Sequence, residues 1–272
     1  MKKSRNSVSL LGPPGSLAVW ALALAFLPGV VNAQAPARSA APPDLNGIWM
    51  AMGSANWNIQ DHAAQSGPSQ FGALFAEPPG IGIVEGNEIP YKPEALKQKE
   101  ENYAHRFTED PEAKCYLPGV PRATYMPYPF QIVQTPQDIL IAYEFAGAAR
   151  TVHMNKPVPN PIDIALDSWM GYSSGSWDGR TLVIEASHFN DKTWFDRAGN
   201  FHSDALKVTE RYTPDGPDGI MYQATIEDPQ TFIRPWKINV LLYRVRDKNA
   251  ALLDFKCVEF SEDMLYEHLY KK

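Results

Sequence analysis

From position 130 onward, short runs in which apolar and polar residues alternate follow one another along the chain, and no amphipathic helical stretch comes between them. Alternation with a period of two marks half-buried strands. It predicts strands over 130–134, 139–145, 150–154, 171–177, 180–186, 206–212, 219–227, 237–245 and 251–259, with a short forerunner at 45–50. The joints carry turn chemistry: Thr135-Pro136-Gln137-Asp138, Asp178-Gly179, the Pro/Asp/Gly run 214–219, and Arg246-Asp247-Lys248-Asn249. Many short strands in series predict an all-β fold, an antiparallel meander closed into a β-barrel or folded as a barrel-like sandwich, and they exclude a parallel α/β fold. The segment 93–107 reads as one surface helix inserted ahead of the barrel, with Pro93 in its first turn and Leu96, Lys99, Glu100 and Tyr103 on one face. Residues 52–88, rich in Gly, Pro, Ser, Asn and Gln, read as irregular structure wrapped on a core.

Strand parity says which polar groups face inward. Along 206–212, Glu210 shares a face with Leu206, Val208 and Tyr212; along 150–154, Arg150 shares one with Val152 and Met154. A buried charge is costly unless paired, so an inward Arg150–Glu210 ion pair is expected, either as architecture or as an anchor for a ligand. The connection between 180–186 and 206–212 is far longer than a hairpin needs and is crowded with His, Asp and aromatic residues. Such a loop serves binding or catalysis, or packs on itself as an ordered Ω-type loop. Asp196 with His202, and Glu210 in support, are the candidates for proton transfer, because a carboxylate beside a histidine fixes its tautomer and raises its basicity. His153 and Asp204 belong to the same candidate set. The run 196–200 also fits a plain turn with Gly199 in the left-handed region. Arg150, His153, Trp169, Trp177, Trp194 and Tyr212 are the candidate ligand-binding residues, the aromatic ones forming either core packing or a wall for a flat ligand. His188, Asp191, His202 and Asp204 lack metal-ligand spacing, so no metal is expected. No Gly-rich loop opens a helix and Tyr172-Ser173-Ser174-Gly175 is no nucleophile elbow, so no cofactor is expected either.

Composition places the chain in a cell. Lys2, Lys3 and Arg5 precede an apolar stretch at 17–31, and Val31-Asn32-Ala33 fits a leader-cleavage site, so residues 1–33 read as a signal peptide removed on export to the periplasm or beyond. A mobile Pro/Ala arm at 34–43 and a single barrel domain at 44–272 follow. With no second apolar stretch, stable membrane insertion is not expected after cleavage. Loss of the leader takes the formal net charge from −6 to −9, which excludes the basic footprint of a nucleic-acid binder. Cys115 and Cys257 are the only cysteines. In an oxidising compartment they are expected to form a disulfide, with two buried thiols as the alternative.

A likeness rests on Pro127-Tyr128-Pro129-Phe130-Gln131-Ile132, Tyr143-Glu144, Arg150, Met154, the run from Gly175 to Val183, Phe189-Asn190, Thr193-Trp194-Phe195-Asp196, Gly199, His202-Ser203, Leu206, Glu210-Arg211-Tyr212 and Asp228-Pro229. Together they resemble an uncharacterised exported bacterial protein family, a likeness that implies export and carries no activity. Gly47-Ile48-Trp49 ahead of a strand meander is similar to the start of lipocalin-like (calycin-like) barrels. The expectation is an exported barrel holding a small, largely apolar molecule in an internal cavity. The competing reading is a cofactor-independent lyase, isomerase or hydrolase using the His/Asp loop with the inward Arg/Glu pair.

Overall fold

A computed structural model describes residues 41–67, 76–160, 168–255 and 257–259, all within one compact unit. The expected signal peptide and most of the expected arm lie outside the described residues. Nine strands follow one another around a closed barrel: β1 (Gly47–Ala51), β2 (Phe130–Gln134), β3 (Asp138–Tyr143), β4 (Ala149–Met154), β5 (Tyr172–Asp178), β6 (Thr181–Ser187), β7 (Lys207–Pro214), β8 (Gly219–Glu227) and β9 (Trp236–Arg244). β1 closes the ring by pairing with both β2 and β9. The sandwich alternative is thereby set aside.

Every neighbouring pair is antiparallel except β4 and β5, which run parallel with His153 opposite Ser174. A ring of sequential strands with an odd count cannot alternate throughout, so one parallel pair is required. Parallel neighbours need a long crossover, and residues 155–171 supply it. The antiparallel expectation is corrected at that one seam. At the seam Gly175 is needed for space: a Cβ there would lie 2.6 Å from Val152 and 2.7 Å from the Met154 sulfur across the pair.

Alternation sets the core. On β8 the inward residues Ile220, Tyr222, Ala224 and Ile226 are all buried, as are Trp236, Ile238, Val240 and Leu242 on β9. The strand expected at 251–259 does not form. β9 already has β8 on one side and β1 on the other, so no free edge remains for a tenth strand. Instead the tail packs by side chains, with Phe255 against Tyr128 and Phe145 at 5.1 Å each. The disulfide Cys115–Cys257 is formed, with a Cα separation of 5.6 Å, and ties this tail to the segment before β2.

The predicted helix is α1 (Pro93–Ala104); the chain leaves helical geometry at His105 and resumes in the short α2 (Arg106–Glu109), and a further turn, α3 (Arg122–Tyr125), is wholly buried. Connection lengths make the two ends of the barrel unlike. One end carries the tight turns 135–137, 179–180 and 215–218. The other, the loop rim, carries residues 52–129, 188–206 and 228–235, including all three helices.

Candidate functional site

Inside the barrel, β4 and β7 bring Arg150 and Glu210 together as parity predicts. Arg150 Nη1 and Nη2 donate to the two Glu210 oxygens at 2.5 and 2.8 Å. Its Nε donates to the Tyr143 hydroxyl at 3.1 Å, Nη2 to Tyr212 at 3.1 Å and Nη1 to Ser173 at 3.4 Å. These contacts occupy all five guanidinium donors. Glu210 Oε1 also accepts from the Tyr212 and Tyr222 hydroxyls at 3.0 and 2.9 Å. Burial alone would lower the Arg150 pKa, and the Glu210 carboxylate more than reverses it. Burial and the same carboxylate hold Tyr212 and Tyr222 well above the ordinary tyrosine range, so both act as neutral donors. Arg150, Ser173, Glu210, Tyr212 and Tyr222 are 0–5% exposed, so the cluster is closed off from bulk solvent. Thr124 of α3 reaches in beside the Tyr143 and Tyr212 hydroxyls. The ionic groups at this level of the lumen are satisfied.

In the 188–206 loop, Asp196 and His202 do not meet. Asp196 is a clamp: one oxygen accepts from the Ile59 N–H at 2.9 Å and Asn200 Nδ2 at 2.6 Å, the other from the N–H groups of Ala198 and Asn200. Complete burial outweighs these donors and pushes its pKa up to about 6. His202 spends both ring nitrogens elsewhere, Nε2 with Thr193 Oγ1 at 2.6 Å and Nδ1 with the Ser203 carbonyl at 2.8 Å. Burial lowers its pKa, so the ring is neutral near pH 7. The expected Asp196–His202 pairing is therefore corrected, because each group's hydrogen-bonding capacity is taken up by other partners.

The remaining candidates scatter. His153 points outward from β4, bonded to Asp138 at 2.8 Å and stacked near Tyr172. Trp177 lies at the turn rim, beside Asp178 and Gly179. Asp204 is exposed and accepts from Gln230 at 3.4 Å. Among the described residues no group of three or more His, Cys, Asp or Glu is arranged to hold a metal.

A second ionic network, which sequence reasoning missed, fixes the loop rim. Arg122 of α3 pairs with Asp110 at 3.1 Å and Glu112 at 2.6 Å, and Glu112 in turn takes a fork from Arg197 at 2.9 and 2.8 Å. Burial would raise the Glu112 pKa; Arg197 and Arg122 overcome it and hold it at about 2. Nothing local in the sequence pairs residues this far apart.

That network and Gly199 set the 188–206 loop against α1. Gly199 adopts φ +81°, and a Cβ there would lie 2.7 Å from the Tyr103 backbone nitrogen, so the loop can sit on the helix only with glycine at this point. Asn102 Nδ2 donates to the Gly199 carbonyl at 3.2 Å. Beside this contact a groove of about 360 Å³ opens. Its walls are Gln98, Glu101 and Asn102 from α1 with His105 at its end, then Glu109, Pro111, Lys114 and Tyr116, and finally Asp191, Lys192 and Trp194 from the loop. Trp169 packs on one of these walls, its ring 4.7 Å from that of Tyr116. Of the predicted ligand residues only Trp194 lines the groove. The helix face was legible as polar surface, but its partners at 109–116 and 191–194 were not.

No family model, curated protein or solved structure matches the chain.

Proposed function

We propose that this chain is an exported barrel protein that binds a small molecule in the groove between α1 and the 188–206 loop. The observation that carries the reading is the groove itself. Its volume of about 360 Å³ falls in the range of small-molecule sites, roughly 300–1,000 Å³. Its walls converge from three segments on a braced rim, and the long connections 52–129 and 188–206 gather at that end, as binding loops do on rigid scaffolds. Export is supported by the leader-like residues 1–33 and is in keeping with a disulfide that persists in oxidising compartments. The barrel interior is the weaker place for a ligand, since Arg150 and Glu210 satisfy one another and are buried. Nothing in the placement of Asp196 and His202 favours the enzymatic reading.

The test is retention. Protein recovered from the periplasm should carry a small molecule detectable by untargeted mass spectrometry, and Gln98→Trp, which fills the groove from an exposed helix position, should abolish it. Retention unchanged by Gln98→Trp would contradict a site in the groove.

A further inference from the structure

Resting on that reading of the groove, we infer that its ligand is a neutral, polyhydroxylated molecule, a saccharide of one or two rings. The walls carry both signs of charge in near balance. Glu101, Glu109 and Asp191 face the same space as Lys114 and Lys192, and Lys114 lies 2.6 Å from Glu109. An anion would meet three carboxylates and a cation two ammonium groups. A largely apolar molecule would strip water from these groups and return no hydrogen bonds, at a cost of roughly 1–3 kcal/mol for each group left unsatisfied. A sugar hydroxyl both donates and accepts. It therefore serves carboxylates, ammonium groups and the side-chain amides of Gln98 and Asn102 alike, without a net charge to offset. The groove also offers one ring of the right kind: Tyr116 is 39% exposed while packed at a tilt on Trp169, so part of its apolar surface is open to the C–H face of a sugar ring.

The experiment follows the Trp194 indole signal and the backbone signals of residues 98–105 in ¹H–¹⁵N spectra of the exported chain. Maltose, cellobiose and diacetylchitobiose are added in turn at millimolar concentration, with N-phenylnaphthylamine as the apolar probe. At least one disaccharide is expected to shift the groove signals, with affinity weakened about tenfold by Asp191→Asn, the loss of one charge-assisted hydrogen bond, and by Tyr116→Ala. N-phenylnaphthylamine should leave these signals in place. Shifts from N-phenylnaphthylamine with none from any disaccharide would overturn the saccharide class and leave the groove standing as a binding site. Silence of the groove signals in every titration would also overturn the class, and the retention comparison with Gln98→Trp then decides separately whether the groove binds anything.

Discussion

Glu210 sits where a charge is hardest to keep, fully buried in a barrel of aliphatic side chains, and it is held there by Arg150 and two tyrosine hydroxyls. Glu210→Ala leaves the guanidinium buried without its counter-charge and is expected to cost about 3–5 kcal/mol, whereas replacing both partners by apolar residues recovers much of the loss. Urea unfolding of both single variants and the double variant gives the coupling; purely additive losses would show that the pair is not a unit. Asp196 makes a prediction of different sign. Its folded pKa, about 6, lies above the ordinary carboxylate value near 3.9, so the folded chain binds its proton more tightly than the unfolded one. Stability contributed by Asp196 is therefore present below about pH 4 and is lost as pH rises to about 6, on the order of 3 kcal/mol in all. Relative to Asp196→Asn, the wild-type chain should lose stability across that window in urea titrations at stepped pH; parallel curves would contradict the raised pKa. Parity made Glu210 and Arg150 legible because a strand fixes which way each residue points. It said nothing about Asp196, whose partner Ile59 is 137 residues away and in irregular chain.

At the scale of elements, the 188–206 loop is held by its own groups, and the consequences are structural. His202→Ala removes two hydrogen bonds from a buried ring and is expected to cost about 1–3 kcal/mol while leaving ligand retention intact. A variant that keeps its melting temperature but loses retention would return the histidine to the site. The disulfide spans 142 residues, and its removal as Cys115→Ser/Cys257→Ser should lower stability by about 2–4 kcal/mol, read from the shift in the denaturant midpoint. Because Lys114 and Tyr116 flank Cys115 and line the groove, the same variant should also bind less tightly. Strands from β2 to β9 were legible within a residue or two, since alternation and turn residues are local signals. The failed strand at 251–259 and the parallel seam were not, because both depend on how the ring closes.

On the scale of the whole molecule, the inside and the rim of the barrel differ. The ionic cluster inside is closed off from solvent, and the loop rim carries the helices and the walls of the groove. The sequence argued for a ligand inside because inward charges in a barrel suggest a polar anchor; the groove escaped notice because its walls come from three segments joined only in the folded chain. Trp49 points inward from β1 and Trp194 lines the groove, so their indole signals distinguish the two places directly. The ligand recovered from the periplasm, added back to ¹⁵N-labelled protein, should move the Trp194 indole and leave that of Trp49 fixed. Movement of Trp49 with Trp194 unchanged would place the ligand in the barrel and contradict the account.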